Sequence, residues 1–463
     1  MDIVAQLRAL IGDNAVLDAT QLADRSAGIW RQDHLRALAL ARPASTEEVA
    51  AVLRCCQQHQ HSVVTQGGLT GLVHGADAAA AEVILSTERL RAIESIDPQQ
   101  RCATVQAGVT LQALQEAVED HDLMFPLDLG ARGSATLGGN AATNAGGNRV
   151  IRYGMMRDMV LGLEVVLADG SVLSNMNRLI KNNAGYDLKQ LFIGSEGTLG
   201  VITRLVLRLR EAPRSHDMAL VGVESFDQVA ALLKHVDRGL GGRLSAFEAM
   251  WQDFYRLVSS PPAQGRPPLP QDYPYYVLLE SQGAEPQGDR QQFEQVLESA
   301  LVEGLIADAA LANSQADCAA FWALRDDVAQ VFNGGTPLIY DISLPIAEME
   351  NYVAGLTGAL AASVPGHRLW VWGHLGDGNL HLAVQLPANQ AESLRPAVER
   401  AVYTPLAEFR GSVSAEHGIG LEKRPWLPVS RTPEELRAMH CLKQALDPQG
   451  VLNPGKILEP GPA

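Results

Sequence analysis

His374 and His381 stand seven positions apart in the stretch WVWGHLGDGNLHLAVQLP, residues 370–387. On one straight strand their side chains would point to opposite faces, because strand side chains alternate. Gly376, Asp377, Gly378 and Asn379 lie between them, flanked by two mostly apolar runs, and this pattern predicts a β-hairpin. Folding back at that turn sets the imidazoles side by side on paired strands. Two neutral imidazoles on a rigid hairpin are half of a metal site. Glu416 and His417, in the later segment SAEHGIG, offer the remaining donors. Either histidine alone reads as a satisfied core residue; the pair, with the later Glu-His, points to a metal.

A second chemistry lies in backbone-rich segments. In HSVVTQGGLTGLVHGA a short β-branched strand runs into a turn holding Gly67, Gly68 and Gly71. Such glycines let backbone N–H groups approach a phosphate closely, although strand-turn glycines also occur for structural reasons alone. No G-x-G-x-x-G occurs, so a Rossmann site is not expected. Residues 126–147, PLDLGARGSATLGGNAATNAGG, hold six glycines and the polar trio Asn140, Thr143 and Asn144. Small residues of this kind do not fill a core, and backbone wrapped around a flat or phosphorylated ligand is the expectation.

The elements around these segments follow from periodicity. Apolar residues at helical spacing predict helices over 1–12, from Ser45 onward (with Ser45 and Glu48 at capping-box spacing), and over 111–119. Strands are predicted at 83–85, 92–96 and 103–107, and a hairpin about an Asp-Gly turn at 160–173. A glycine-spaced turn and a strand follow in 191–210. The composition changes near 211–215. Beyond it, strands (218–223, 275–280, 338–342) alternate with helices (225–236, 291–303, 319–332, 350–363, 399–409). Residues 259–274 hold six prolines and read as a surface loop, and ALDPQGVLNPGKIL is a turn-rich tail expected to pack on the first domain.

The bulk properties set limits. A chain of 463 residues with 46% hydrophobic and 19% charged residues suggests two or three domains with sizeable cores. The net charge of -16 disfavours a nucleic-acid partner, whose phosphates want a basic surface. Cys55, Cys56, Cys102, Cys318 and Cys441 show no C-x-x-C spacing, which fits a reducing compartment and no iron–sulfur centre. Neither a signal peptide nor a run of 18 apolar residues is evident, so the expectation is a cytoplasmic protein, with room for peripheral contact at the inner membrane.

Taken together, TQGGLTGLVHG, PLDLGARGSATLGGNAATNAGGNRVIRYG, GLEVVLADGSVL, NAGYDLKQLFIGSEGTLGVIT, GHLGDGNLHL, SAEHGIG and LDPQGVLNPGKIL, in this order, resemble the vanillyl-alcohol-oxidase-type FAD family. The likeness runs nearly end to end. It is closest to the branch of D-2-hydroxyacid dehydrogenases that holds D-2-hydroxyglutarate dehydrogenase, D-lactate dehydrogenases and the glycolate oxidase flavin subunit. The resemblance implies an α+β, two-domain PCMH-type FAD-binding fold with a ferredoxin-like cap and a small C-terminal helical segment. The expected division is an FAD domain over 1–212, a cap over 213–440 that carries metal and substrate groups, and a tail over 441–463.

By the same resemblance, the loop Gln66, Gly67, Gly68, Leu69, Thr70 and Gly71 holds the FAD pyrophosphate. Pro126, Leu127, Gly130, Ser134, Gly138, Gly139, Asn140, Thr143, Asn144 and Gly146 line the flavin. Glu196, Gly200 and Ile202 hold its other end, and Asn453 approaches from the tail. Relatives with covalent FAD carry a His where this chain has Leu69, so noncovalent FAD is implied. His374, His381 and Glu416 match zinc ligands, His417 matches the base that takes the substrate's hydroxyl proton, and Arg325 in WALRDD matches the arginine that pairs with the C1 carboxylate.

Three positions depart from the glutarate enzymes: Ile339 stands for a Lys, Ala329 for a Thr and Ala383 for an Asn. A buried distal carboxylate without partners is costly. The expected substrate is therefore D-lactate or another short or apolar D-2-hydroxy acid, the alternatives being D-2-hydroxyglutarate, glycolate, or a noncatalytic electron-relay subunit. Electrons are expected to leave to a quinone, an electron-transfer flavoprotein or a partner subunit, and a homodimer is compatible with the sequence.

Overall fold

The computed structural model describes residues 2–29, 31–335, 337–387 and 390–459. The chain forms two units. One comprises Met1–Gly146, Gly154–Ala212 and Glu416–Ala463, the other Gly147–Tyr153 and Pro213–Ala415. These boundaries differ from the expected ones in two places. Residues 147–153 join the second unit because the Arg149 guanidinium forms two bonds with the Glu280 carboxylate (2.9 and 3.1 Å) and Tyr153 Oη donates to Gln282 Oε1 (2.9 Å). The chain returns to the first unit at Glu416, before the expected 441, because the Ile419 and Gly420 N–H groups donate to Glu196.

The first unit holds two main sheets. The smaller runs in the order Val16–Asp18, Ala39–Ala41, Val83–Ser86, Val63–Gln66, its last three strands parallel. Parallel strands are buried on both faces. Val63, Val83 and Leu85 accordingly pack against Val49, Val52 and Leu53 of the helix Thr46–Gln58 and against Leu7 of Ile3–Ile11. Ser45 caps the helix by accepting from Glu48 N–H, while the Glu48 carboxylate reaches back to Ala44 N–H, one residue earlier than a capping box would have it. The larger sheet is antiparallel, in the order Ile93–Asp97, Cys102–Gln106, Val201–Arg208, Val160–Val166, Val172–Asn175.

The second unit is one antiparallel sheet of seven strands: Asp308–Leu311, Ser215–Val223, Tyr275–Gly283, Leu244–Trp251, Arg368–His374, Asn379–Gln385, Pro337–Ser343. Its first four strands, with helices Phe226–Leu240 and Pro286–Val302, follow a βαββαβ path in the spatial order fourth, first, third, second. That is the ferredoxin-like arrangement. The hairpin and the strand Pro337–Ser343 extend it. One face of the sheet buries Met218, Leu220, Met250, Tyr276, Leu278, Trp370, Trp372 and Ala383 against Phe254 and Tyr255 of helix Gln252–Ser259 and against Phe321 and Leu324 of helix Gln315–Asp326. Phe254 stacks on Trp372 at 4.4 Å, worth about 1 kcal/mol beyond area burial.

Several helices differ from expectation. The one predicted over 319–332 begins at Gln315, because Ser314 Oγ accepts from Asp317 N–H, and it ends at Asp326, before a separate 3-10 turn Val328–Phe332. The one predicted over 399–409 runs Ala391–Tyr403, and Pro405 opens a new turn instead of continuing it. Helix Pro433–Leu446, opened by a Thr432/Glu435 capping box, corresponds to the small C-terminal helical segment that the resemblance implies and begins before the expected tail at 441. Among the described residues no helix is long and apolar enough to cross a membrane.

Candidate active site

In the second unit the hairpin forms as the turn residues demand. Strands Arg368–His374 and Asn379–Gln385 pair in register, with Trp372 opposite His381. Gly378, at φ +85°, closes the reversal. Because His374 lies two residues beyond Trp372, it shares the face of His381, one step along the ladder. The two rings meet edge-on with centroids 5.2 Å apart. His374 is 5% and His381 8% exposed.

Glu248, on the neighbouring strand Leu244–Trp251, pairs directly with His374. Its Oε1 lies 2.7 Å from His374 Nδ1, and its Oε2 accepts from Arg325 Nε at 2.8 Å. Burial opposes the charge on Glu248, yet His374 and Arg325 hold its carboxyl below the usual range. Arg325 extends from helix Gln315–Asp326, is 6% exposed, and has its terminal nitrogen 3.3 and 3.4 Å from the two ring nitrogens of His374. Asp341, paired with His381 across the ladder, lies 3.8 Å from His381 Nδ1 and accepts from Asn379 Nδ2 and Ala415 N–H. The next row, Trp370, Ala383 and Ile339, carries no charged group, its one polar atom being the Trp370 indole nitrogen.

The first unit contains a cleft of about 400 Å³ whose walls are the glycine-rich segments. Gly67, Gly68, Leu69, Thr70 and Gly71 line it; Gln66 is turned away, its amide on Ala76 O. Gly130, Gly138, Gly139, Asn140, Thr143 and Gly146 line it as well. Pro126, Leu127, Ser134 and Asn144 do not; Asn144 instead caps a helix and accepts from Arg157 N–H. Glu196, Gly200, Ile202 and Asn453 complete the wall, together with Glu416 and His417.

The glycines have separate reasons. A Cβ on Gly68 would stand 1.8 Å from Ser134 O, so the two glycine segments cross backbone to backbone there. A Cβ on Gly71 would meet nothing within 4 Å, so that glycine faces open space. Leu69, Glu196 and Asn453 have φ of +56°, +50° and +41°, each costing on the order of 1–3 kcal/mol, a kind of strain that clusters at ligand sites. Burial raises the Glu196 carboxyl, against the N–H groups of Ile419 and Gly420. Thr65 Oγ1 and Asn140 Nδ2, both on the cleft, are buried without a partner. Orphaned donors in a glycine-lined cleft fit a phosphorylated, many-acceptor cofactor such as FAD.

A two-sheet unit with such a cleft and a ferredoxin-like unit are the two parts of a PCMH-type FAD-binding fold. The fold agrees with p-cresol methylhydroxylase with bound substrate (TM-score 0.77, 17% identity, covering 98% of this chain and 96% of that one). Residues 212–457 match the C-terminal domain of FAD linked oxidases and residues 37–175 an FAD binding domain. The chain is 41% identical over 458 residues to mitochondrial D-2-hydroxyglutarate dehydrogenase of Bos taurus, covering 99% of this chain and 83% of that one. It is 39% identical to D-2-hydroxyglutarate dehydrogenase of Xanthomonas citri pv. viticola, covering 91% and 89%. It is 36% identical to a putative mitochondrial D-lactate dehydrogenase of Schizosaccharomyces pombe, covering 90% and 81%. The chain belongs to the FAD linked oxidases and, within them, is an FAD-dependent D-2-hydroxyacid dehydrogenase.

The cytoplasmic expectation is corrected. The Bos taurus and Schizosaccharomyces pombe relatives are mitochondrial by name. Cysteine usage bears on redox state, and the absence among the described residues of a helix able to cross a membrane is no more than that; neither selects a compartment.

Proposed function

We propose that this enzyme oxidises a D-2-hydroxy acid to the 2-oxo acid with noncovalent FAD and a zinc ion, and passes its electrons to a quinone or an electron-transfer flavoprotein. Leu69 lies on the cleft and carries no nucleophile, which supports noncovalent binding. Bound FAD would accept the hydride from C2, and zinc would supply Lewis acidity at the C2 hydroxyl.

The chain's own groups divide the remaining work. His374 and His381 offer two nitrogens on one sheet face, and Glu416 is read as the third ligand. Glu416 follows directly on Ala415, whose N–H is fixed by Asp341, the cross-strand partner of His381. His417 would hold and release the hydroxyl proton. Arg325, whose Nε donates to Glu248 and whose Nη1 lies 3.4 Å from Asp326 Oδ1, would pair with the C1 carboxylate. The observation that supports this reading most is the buried Glu248–His374–Arg325 constellation, which a noncatalytic electron relay does not need.

Two substrate readings each have support. The apolar row Trp370–Ala383–Ile339 favours a short or apolar side chain, D-lactate among them. The relatives named D-2-hydroxyglutarate dehydrogenase favour a second carboxylate equally. Anaerobic flavin bleaching with a panel of D- and L-2-hydroxy acids, with and without chelator, tests all parts. Bleaching by D-acids only, abolished by chelation and restored by zinc, is expected. Bleaching that survives chelation removes zinc from the reading, and equal rates on D-2-hydroxyglutarate and D-lactate remove the apolar preference.

A further inference from the structure

We infer that Glu248 is a positioning residue that fixes the metal ligand His374 and the carboxylate-binding Arg325 on a single side chain, so that metal loading and substrate binding are coupled through it. The inference rests on the functional reading above and adds a residue that neither motif nor spacing singled out. Glu248 is 1% exposed, on the central strand of the sheet, and its two oxygens serve two different elements. Oε1 is 2.7 Å from Nδ1 of His374, at the end of the strand Arg368–His374. Oε2 accepts from Nε of Arg325, on the helix Gln315–Asp326, at 2.8 Å.

The chemistry follows from these two bonds. A carboxylate at Nδ1 selects the Nδ1–H tautomer and leaves the lone pair on Nε2, the nitrogen that ligates. A carboxylate, backbone carbonyl or water holds metal-binding histidines in this way almost always. The same carboxylate offsets the buried guanidinium and fixes its plane. Arg325 lies against the His374 ring, within 3.4 Å of both ring nitrogens, so neither group shifts without disturbing the other. A carboxylate is required, because it alone at this size accepts from two donors and carries the opposite charge.

The test compares flavin-loaded wild type with Glu248→Gln and Glu248→Asp. Zinc affinity is read by competition with a chromophoric chelator, and KM and kcat are read separately. A carboxamide has one acceptor and one donor, so Glu248→Gln cannot serve both partners. Its zinc affinity is expected to fall about 10–100-fold. KM for the hydroxy acid should rise at least about tenfold and stay raised when excess zinc restores kcat. Glu248→Asp keeps the charge and is expected to fall between Gln and wild type on both readouts, which separates the effect from misfolding. Wild-type zinc affinity and KM in a folded Glu248→Gln enzyme would overturn the role while leaving the metal reading intact. Absence of zinc uptake by wild type would overturn the metal reading and this role together.

Discussion

At the scale of single residues, the sheet face beside the histidines is decided row by row. Ala383 is fully buried and sits opposite both Trp370 and Ile339, so the row next to His381 presents no charged group and no polar atom besides the Trp370 indole N–H. The double variant Ile339→Lys/Ala383→Asn introduces a cation and an amide there. Steady-state kinetics should show its preference for D-2-hydroxyglutarate over D-lactate rising at least about tenfold, at a stability cost of about 1–3 kcal/mol for the extra volume. An unchanged ratio would show that this row does not meet the substrate's side chain. Much at this scale was legible in the chain itself. His374 and His381 flank a four-residue turn, and local geometry puts them on one face. Glu248 was not legible. It lies 126 residues from His374, in a strand that is apolar apart from Ser245 and itself, and nothing local marks it.

At the scale of elements, the two glycine-rich segments combine different constraints that two substitutions would separate. Gly68→Ala drives a Cβ into Ser134 O, so both apoprotein melting temperature and flavin content should fall. Gly71→Ala meets open space, so the apoprotein should melt within a degree or so of wild type while flavin affinity, by titration, drops about tenfold or more. Equal effects of the two would contradict this division. The crossing segment 147–153 yields a pH prediction. Burial raises the Glu280 carboxyl, but Arg149 and Ser245 more than reverse this and hold it below the ordinary range. Its folded-state pKa is therefore lower than its unfolded one. The stability it contributes is present above the ordinary carboxylate pKa and is lost as pH falls through the depressed folded value. Glu280→Gln should cost about 3 kcal/mol near neutrality and converge on wild type in acid, as read by denaturant unfolding across pH. The element boundaries least legible in the sequence are those set by caps: Ser314 begins its helix before the apolar pattern does, and Thr432-Pro433-Glu434-Glu435 opens a helix whose residues are all at least partly exposed.

At the scale of the whole molecule, the tail residues Val451–Asn453 return to the strand Val63–Gln66 of the first unit. Leu452 bridges to Val63, and Asn453 N–H donates to Val63 O. The Asn453 side chain accepts from Thr65 N–H at 2.8 Å and donates to Glu196 O at 2.6 Å, joining the strand before the glycine loop to the Gly194–Gly200 turn. Lys443 reinforces this by donating to Thr198 O and Leu452 O. Asn453→Ala should destabilise the protein by about 2 kcal/mol and weaken flavin binding about tenfold, both measurable by thermal unfolding and fluorescence titration. Normal flavin binding would show that the tail closes the unit without shaping the cleft. The sequence by itself determined the hairpin and the backbone-rich glycine segments, because these rest on short-range patterns of turn residues and strand alternation, while the reaction class and the ferredoxin-like cap followed from the resemblance of its ordered motifs to the FAD-dependent D-2-hydroxyacid dehydrogenases. Only the tertiary structure decided which carboxylate orients His374, which glycines face the cleft rather than a neighbouring backbone, and where the chain changes units. Those depend on contacts between groups far apart in the chain, Gly68 with Ser134, Glu248 with His374 and Glu196 with Ile419, and no local period encodes such pairings.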